Sequence, residues 1–125
     1  MSDFQNIREI WSFIKEELDL EPTKEEMHDL LYEMDIQEDV NVELDGQDWR
    51  IIHEDVIDDI ATDEIKEIVQ DCYLNGTDLD KLWWIEIDWE KTARNCIVAD
   101  GYGHHFSSYD GNEFELGGWY FFRTN

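Results

Sequence analysis

Apolar residues at the start of the chain recur every three or four positions, which is the spacing of one face of an α-helix. Pro22 interrupts this pattern, and Thr23 with Glu26 three residues later has the form of a capping box that begins a second helix. The sequence therefore predicts two amphipathic helices before Asp39, where the period changes. Their apolar positions are Phe4, Ile7, Trp11, Ile14 and Leu18 in the first helix, and Met27, Leu30, Leu31 and Met34 in the second.

From Asp39 onwards apolar residues alternate with polar ones, which is typical of a half-buried β-strand. Residues 40–44 alternate strictly, Asp45-Gly46 supplies a turn, and residues 49–52 supply the returning strand. The pattern predicts a hairpin near residues 40–52.

Helical spacing returns over residues 54–73, where Thr62 or Asp63 is a candidate cap for a fresh start. We therefore expect two helical pieces or one kinked helix in this region. Asn75-Gly76 is expected to close it, because both residues tolerate a left-handed cap.

The end of the chain has the residues of antiparallel β-structure. His104–Tyr109 and Phe114–Leu116 are predicted to form a hairpin about Asp110-Gly111-Asn112. Gly117-Gly118 then leads to a last strand, Trp119–Arg123.

Length and composition fit one folded domain and not a disordered acidic chain. The 125 residues allow a single core, and the apolar fraction of 42% with 14% aromatic residues is what acidic tails lack. We therefore expect residues 1–125 to form a single α+β domain. In it, acidic N-terminal helices pack with a small antiparallel β-sheet made of the hairpin near residues 40–52 and the C-terminal strands.

Charge is the unusual feature of the composition. Asp and Glu number 33 against 9 Lys and Arg, which gives a formal net charge of −24. Such an imbalance costs stability through self-repulsion, and it argues against binding to nucleic acid or to a membrane, because both are polyanions. A halophilic or simply soluble surface is one explanation. A surface that binds cationic protein is the explanation that we prefer.

The remaining global signals favour a cytoplasmic protein. The first residues contain neither a basic region nor an apolar run, so we expect no secretory signal, and no stretch is apolar enough to span a membrane. Cys72 and Cys96 are too few for a disulfide scaffold, which indicates reduced thiols.

Carboxylates recur on the predicted helices at spacings of three and four residues, which places them on common faces. Like-charge pairs at these spacings lie roughly 5–6 Å apart at Cβ and cost about 0.2–0.5 kcal/mol each. Duplex DNA carries one negative charge per roughly 1.7 Å of axis, so ordered rows of carboxylates can imitate it towards a DNA-binding groove. The predicted partner-binding residues are Glu16, Glu17, Asp19, Glu25, Glu26, Asp29, Glu33, Asp55, Asp58, Asp59, Glu64, Glu67 and Asp71.

Catalytic and metal-binding patterns are weak by comparison. His104 and His105 are adjacent and would point to opposite faces of a strand, while Cys72 and Cys96 lack the close spacing of zinc ligands. No phosphate-binding loop, dinucleotide fingerprint or nucleophile motif is present. We therefore expect no enzyme, no cofactor and no metal.

Large aromatic residues are concentrated in the last third of the chain, and two interpretations stay open. They either form the core, or form an exposed patch that is buried in a homodimer or partner interface. The residues are Trp83, Trp84, Trp89, Trp119, Tyr120, Phe121 and Phe122.

Two short stretches resemble the ArdA-type antirestriction proteins. One is Ile87–Asn95 (IDWEKTARN), where an acid, an aromatic residue and Glu precede a small residue and Arg, and the other is the finish Phe121–Asn125 (FFRTN). The resemblance implies a phage- or plasmid-borne DNA mimic, acting in the host cytoplasm, that occupies the DNA groove of a restriction-modification enzyme.

The sequence thus predicts a non-catalytic inhibitor. It would occupy the DNA-binding surface of a positively charged host defence protein, either a restriction-modification enzyme or a CRISPR complex. The alternative is an immunity or antitoxin protein that neutralises a basic nuclease, because the same charge would serve that function.

Overall fold

The computed structural model describes residues 7–73 and 86–125, and these residues form four α-helices and a four-stranded antiparallel sheet. The predicted α+β class is therefore confirmed. The predicted cap at Asn75-Gly76 lies outside the described residues. The helices are α1 (Ile7–Glu16), α2 (Lys24–Ile36), α3 (Glu54–Ile68) with a π-helical turn (Val69–Tyr73) after it, and α4 (Trp89–Phe106); the strands are β1 (Asp39–Leu44), β2 (Gln47–His53), β3 (Phe114–Leu116) and β4 (Trp119–Arg123).

The strands are arranged in the order β1-β2-β4-β3, and every neighbouring pair is antiparallel. The predicted hairpin near residues 40–52 is confirmed, since β1 pairs with β2 from Asp39↔Ile52 to Leu44↔Gln47. Asp45 and Gly46 both have positive φ, at 51° and 74°, which is the turn conformation that suits the twist of a two-residue hairpin. As a result, β1 forms one outer edge of the sheet and the short β3 forms the other.

Apolar side chains cover both faces of the sheet. One apolar cluster joins α1 and α2 to the sheet through residues such as Ile14, Leu30 and Ile51, and the other joins α3 and α4 to it through Ile57 and Phe122. The alternation of the strands produces this division, because neighbouring residues such as Ile51 and Ile52 point to opposite faces. The sheet is thus the middle layer between two helical layers.

Helix starts follow local hydrogen-bonding rules. The predicted capping box is present, with Thr23 Oγ1 accepting from Glu26 N at 3.1 Å and Glu26 Oε1 accepting from Thr23 N at 2.9 Å.

The predicted start of a new helix at Thr62 or Asp63 is wrong, because α3 is continuous there. Thr62 Oγ1 donates to Asp58 O at 2.8 Å, so its hydroxyl is satisfied inside the helix.

The predicted strand His104–Tyr109 is also wrong, because α4 continues to Phe106 and a turn follows it. Gly101 has a φ of 85° and kinks the helix, after which the last turn brings His105 and Phe106 towards α3 and the sheet. Six residues with aromatic and hydroxyl side chains before a Gly-containing turn do not separate a strand from a kinked helix end. Among the described strands, the C-terminal hairpin is formed by β3 and β4 instead.

The described C-terminal aromatic residues support the core interpretation. Trp119, Phe121 and Phe122 are at most 3% exposed, and Trp89 and Tyr120 are half-buried. Trp83 and Trp84 lie outside the described residues. The aromatic side chains of β4 therefore do not form the exposed patch that the homodimer interpretation required.

None of the described helices has the length and apolar character needed to cross a membrane.

Candidate partner-binding groove

Helix α2 and strand β1 run side by side in opposite directions. Only two residues separate the end of α2 from the start of β1. At the opposite end, the Glu26 carboxylate that belongs to the capping box also accepts from Asp45 N at 3.2 Å. The 13 residues of α2 and the 6 residues of β1 both span about 20 Å. The two elements therefore flank one another over their full length.

A groove of about 950 Å³ lies between α2 and β1. Six of its ten lining residues carry carboxylates, and none of these described lining residues is Lys or Arg. The predicted row of Glu25, Asp29 and Glu33 forms the helical wall. Asp39 and Glu43 line the groove from the strand side, with side chains that alternation places on the α3–α4 face of β1, and neither was among the partner-binding residues predicted from the sequence. The lining residues are Thr23, Glu25, Glu26, Asp29, Glu33, Gln37, Asp39, Asn41, Val42 and Glu43.

The carboxylates of the groove differ in how far they are compensated. Glu25, Asp29 and Glu43 are exposed. Glu26 is held by the capping box, and Glu33 accepts a hydrogen bond from the side chain of Gln37. The exposed carboxylates are the ones that remain available to a cationic partner.

Arg50 neutralises two carboxylates on the α3–α4 side of the sheet. Its guanidinium donates to Asp39 at 2.9 and 2.7 Å and to Glu64 at 2.8 Å, and it lies 5.0 Å from the centre of the Phe106 ring. The hydrogen bond to Asp39, more than that to Glu64, raises the pKa of Arg50 above its already high ordinary value. His105 Nε2 is a further neighbour of Glu64, at 3.2 Å from Oε1. Glu64 is therefore engaged inside the protein, although the sequence grouped it with the partner-binding acids.

Helix α3 and the π-helical turn carry a second row of acids. Asp55, Asp59, Glu67 and Asp71 are exposed, and Asp63 completes a spacing of four residues that the prediction from the sequence missed. Each step of four residues turns roughly 40° around a helix, so this row winds around α3 and presents a convex surface. The shorter α2 row winds less and faces a concavity.

Asp58 differs from that row because it accepts a hydrogen bond from the hydroxyl of Tyr102 on α4. Burial and this bond raise the pKa of Tyr102 well above its ordinary value. Asp58 therefore has a contact that holds α3 to α4. A cleft of about 420 Å³ lies between these helices, with Asp58, Asp59, Glu90 and Arg94 among its lining residues.

The predicted acids Glu16, Glu17 and Asp19 lie elsewhere, at the end of α1 and in the connection to α2. All three are exposed, and Asp19 has a φ of 56°. None of them lines the groove. The structure therefore divides the predicted partner-binding residues among the groove, the α3 row and the α1–α2 connection, except for Asp58 and Glu64, which have partners inside the protein.

Three potential metal ligands meet where β2 joins α3. One side-chain nitrogen or oxygen from each of Glu38, His53 and Asp55 lies within 4.8 Å of the others, and this is the one such group among residues 7–73 and 86–125. However, His53 Nδ1 accepts from Asp55 N at 3.1 Å and so caps α3. Because a metal would have to displace that cap, we assign these residues to the start of the helix.

The histidines that were weighed as zinc ligands do not converge. His105 contacts Glu64, and His104 is exposed. Cys96 is half-buried and free, and the side chain of Cys72 lies outside the described residues.

The stretches that resemble ArdA-type proteins have identifiable local roles. Asp88 Oδ1 accepts from Lys91 N at 3.0 Å and caps α4, and Trp89 lies below Lys66 with 5.8 Å between Nζ and the ring centre. Arg123 ends β4.

Comparison with protein-family profiles, with curated proteins and with solved structures gives no match for this chain. The resemblance stays a prediction, and function has to be inferred from the residues themselves.

Proposed function

We propose that the protein is a non-catalytic inhibitor whose carboxylates take the place of DNA phosphates on a cationic host defence protein in the cytoplasm. The observation that carries the proposal is the groove between α2 and β1, with six carboxylates and no Lys or Arg among its described lining residues. Restriction-modification enzymes and CRISPR complexes are the target classes, because both present positively charged surfaces to DNA.

Electrostatics give this groove a physical reason to bind. Carboxylates four residues apart repel one another in the free protein, and partner cations placed between them relieve that repulsion. The net charge of −24 also attracts a cationic partner before contact, over a Debye length of about 8 Å at physiological salt. Association should therefore be fast and should weaken steeply as salt is added.

The concave shape of the groove favours a second candidate function. Towards a DNA-binding cleft, the groove would accept a basic element that protrudes from the wall of the cleft, and the convex acidic row of α3 would add to the contact. A concave groove accepts a protruding basic element of any partner in the same way. An immunity protein that neutralises a basic nuclease would use the groove in this way, so this alternative is tested beside the first.

Competition with DNA tests the proposal. A restriction-modification enzyme, a CRISPR effector complex and a basic nuclease are each titrated with labelled duplex DNA at several concentrations of this protein. The proposal expects the apparent Kd for DNA to rise in proportion to the protein concentration, and excess duplex to displace the protein. A complex that contains both DNA and the protein would refute mimicry. Inhibition of the nuclease alone would favour the immunity function.

Paired charge reversals locate the binding surface. The double substitution of Glu25 and Asp29 to Lys is expected to weaken inhibition by more than about tenfold. The control replaces Glu86 and Asp100, which are exposed and lie outside the groove, and which change the net charge equally. Glu113 is unsuitable as a control because its Oε1 accepts from Gly103 N at 3.1 Å. Equal losses from both double variants would show that bulk charge, and not the groove, carries inhibition.

A further inference from the structure

The outer edge of β1 offers main-chain hydrogen-bonding groups to the groove. His53 N donates to Glu38 O at 2.8 Å, which makes these two residues a hydrogen-bonded pair of the antiparallel ladder. Because such pairs alternate along an antiparallel ladder, the even-numbered residues of β1 bond to β2. The N–H and C=O groups of Asp39, Asn41 and Glu43 therefore point outwards. No described strand pairs with this edge.

We propose that the outer edge of β1 binds an extended cationic segment of the partner protein, which pairs antiparallel to β1 as an additional strand. Lys or Arg at every second position of that segment would face the carboxylates of α2. The inference deepens the proposed function and rests on it in one respect, namely that the partner is cationic. It adds the conformation of the bound segment and the spacing of its charges.

The repeat distances of the helix and of an added strand agree. Side chains on one face of a strand recur about every 6.6–6.8 Å. Glu25, Asp29 and Glu33 advance about 6 Å per four residues along α2. Because α2 follows β1 over its whole length, three successive cationic side chains of the added strand would each have a carboxylate opposite.

The same geometry assigns separate tasks to alternate residues of the segment. Residues opposite the even-numbered positions of β1 share the face of Val40 and Val42, which is the face that α1 and α2 cover. These residues would carry the cations. Residues opposite Asp39, Asn41 and Glu43 would exchange N–H and C=O hydrogen bonds with β1. Charge and main-chain pairing can therefore be removed independently.

Charge argues against a second copy of this chain as the occupant. Antiparallel pairing of two β1 edges would bring together two grooves with six carboxylates each, and like charges in close contact oppose association. The other edge of the sheet is a weaker docking site, because β3 has only three residues. A cationic extended segment is the occupant that fits the edge and the groove together.

The test uses a short capped peptide in which lysine and threonine alternate over about six residues. One derivative carries N-methyl groups on the threonines, whose N–H groups would face β1, and another carries them on the lysines, whose N–H groups would point away. All three peptides have the same charge. Calorimetric titration of the intact protein at low salt should show similar affinity for the parent and the lysine-methylated peptide. The threonine-methylated peptide should bind at least about tenfold more weakly.

A variant of the protein supplies the reciprocal measurement. Asn41→Pro removes an outward N–H without changing charge, and proline is tolerated on edge strands. It should weaken binding of the parent peptide by about tenfold relative to Asn41→Ala. In the wild-type protein, the amides of Asp39, Asn41 and Glu43 should gain protection from hydrogen exchange when the peptide binds. The two methylated peptides are compared on the wild-type protein, so that comparison stands even if Asn41→Pro does not fold.

The outcomes separate this inference from the proposed function. Equal affinity for the two methylated peptides would overturn the added strand and leave a groove that attracts cations without main-chain pairing. The inference would also be overturned if two copies of this chain paired through their β1 edges and left no peptide bound there. Competition with DNA for a defence complex is measured without these peptides, so the proposed function can succeed or fail on its own.

Discussion

Asp29→Lys should stabilise the fold while it weakens binding to the partner. Asp29 is 69% exposed and lies four residues from Glu25 on one side and from Glu33 on the other. The substitution removes the repulsion of Glu25 and of Glu33, worth about 0.2–0.5 kcal/mol for each pair, and replaces it with attraction of similar size. Glu26, three residues before Asp29, is left out of this sum because its carboxylate is turned towards Thr23 N and Asp45 N. The pair with Glu33 has the weaker orientation, because its new lysine precedes the glutamate in the helix, so we expect a net gain of about 1 kcal/mol.

Thermal and urea unfolding measure this gain. For a domain of this size, about 1 kcal/mol corresponds to a rise in Tm of about 4 °C. The gain should disappear near 1 M salt, where the Debye length is about 3 Å. Inhibition by the same variant should be weaker than that of the wild type at low salt, because one carboxylate of the groove has become a cation.

Asp100→Lys is the matched control. It changes the net charge by the same amount, but the residues three and four positions away are Cys96, Ile97, Gly103 and His104, none of which is acidic. We expect little change in Tm from this control. If both variants gave the same stabilisation, the net charge of the chain and not the α2 row would be the source of the repulsion. A loss of stability in Asp29→Lys would refute the reasoning outright.

Three further predictions concern the fold. Replacing Arg50 with Met leaves two half-buried carboxylates without their cation and should lower the free energy of unfolding in urea by about 2 kcal/mol; an unchanged midpoint would contradict the assigned role. A Cβ at Gly103 would lie 2.3 Å from Gly111 O, so Gly103→Ala should cost at least about 2 kcal/mol. Gly46→Ala, at an open site with positive φ, should cost about 1 kcal/mol, and the reverse order would refute the packing argument. Burial, and secondly a hydrogen bond to a β3 carboxylate, raise the pKa of Tyr120 to about 12. The stability that the protonated Tyr120 hydroxyl contributes is complete below pH 10, the ordinary pKa of tyrosine, and is lost as the pH rises towards 12. Tyr120→Phe should therefore flatten the pH–stability curve between pH 10 and 12.

Signals that act over a few residues gave the correct part of the fold. The capping box at Thr23 and the turn at Asp45-Gly46 each depend on neighbours within four positions, and both are present. The prediction of a strand at His104–Tyr109 was wrong because the conformation of these residues depends on contacts with residues distant in the sequence. His105 contacts Glu64, 41 positions earlier in the chain, and a Cβ at Gly103 would clash with the later turn. The identities of residues 104–109 carry no information about either contact.

From the sequence, the acidic residues of the candidate groove could be predicted only as rows on separate helices. Periodicity placed Glu25, Asp29 and Glu33 on one face of a helix, and the structure has them on one wall of the groove. The opposite wall requires knowing that β1 follows α2 closely enough for Glu26 to reach Asp45, which depends on the turn between them and on the shared core. Glu64 is unavailable to a partner because Arg50, 14 positions earlier in the chain, donates a hydrogen bond to it, and this tertiary contact could not be predicted from local spacing.

The positions of the few cations strengthen the case for an external partner. Of the 9 Lys and Arg in the sequence, four lie over aromatic rings: Lys15 over Trp11, Arg50 over Phe106, Lys66 over Trp89 and Arg123 over Tyr109. Arg50 additionally neutralises carboxylates in its surroundings. None of these four lines the groove. A surface that served solubility alone would have no reason to collect carboxylates in a concavity, where each raises the energy of the next. Within the described residues Arg50 neutralises Asp39, so the repulsion that remains in the groove is that among the other carboxylates, and cations of the proposed partner would relieve it.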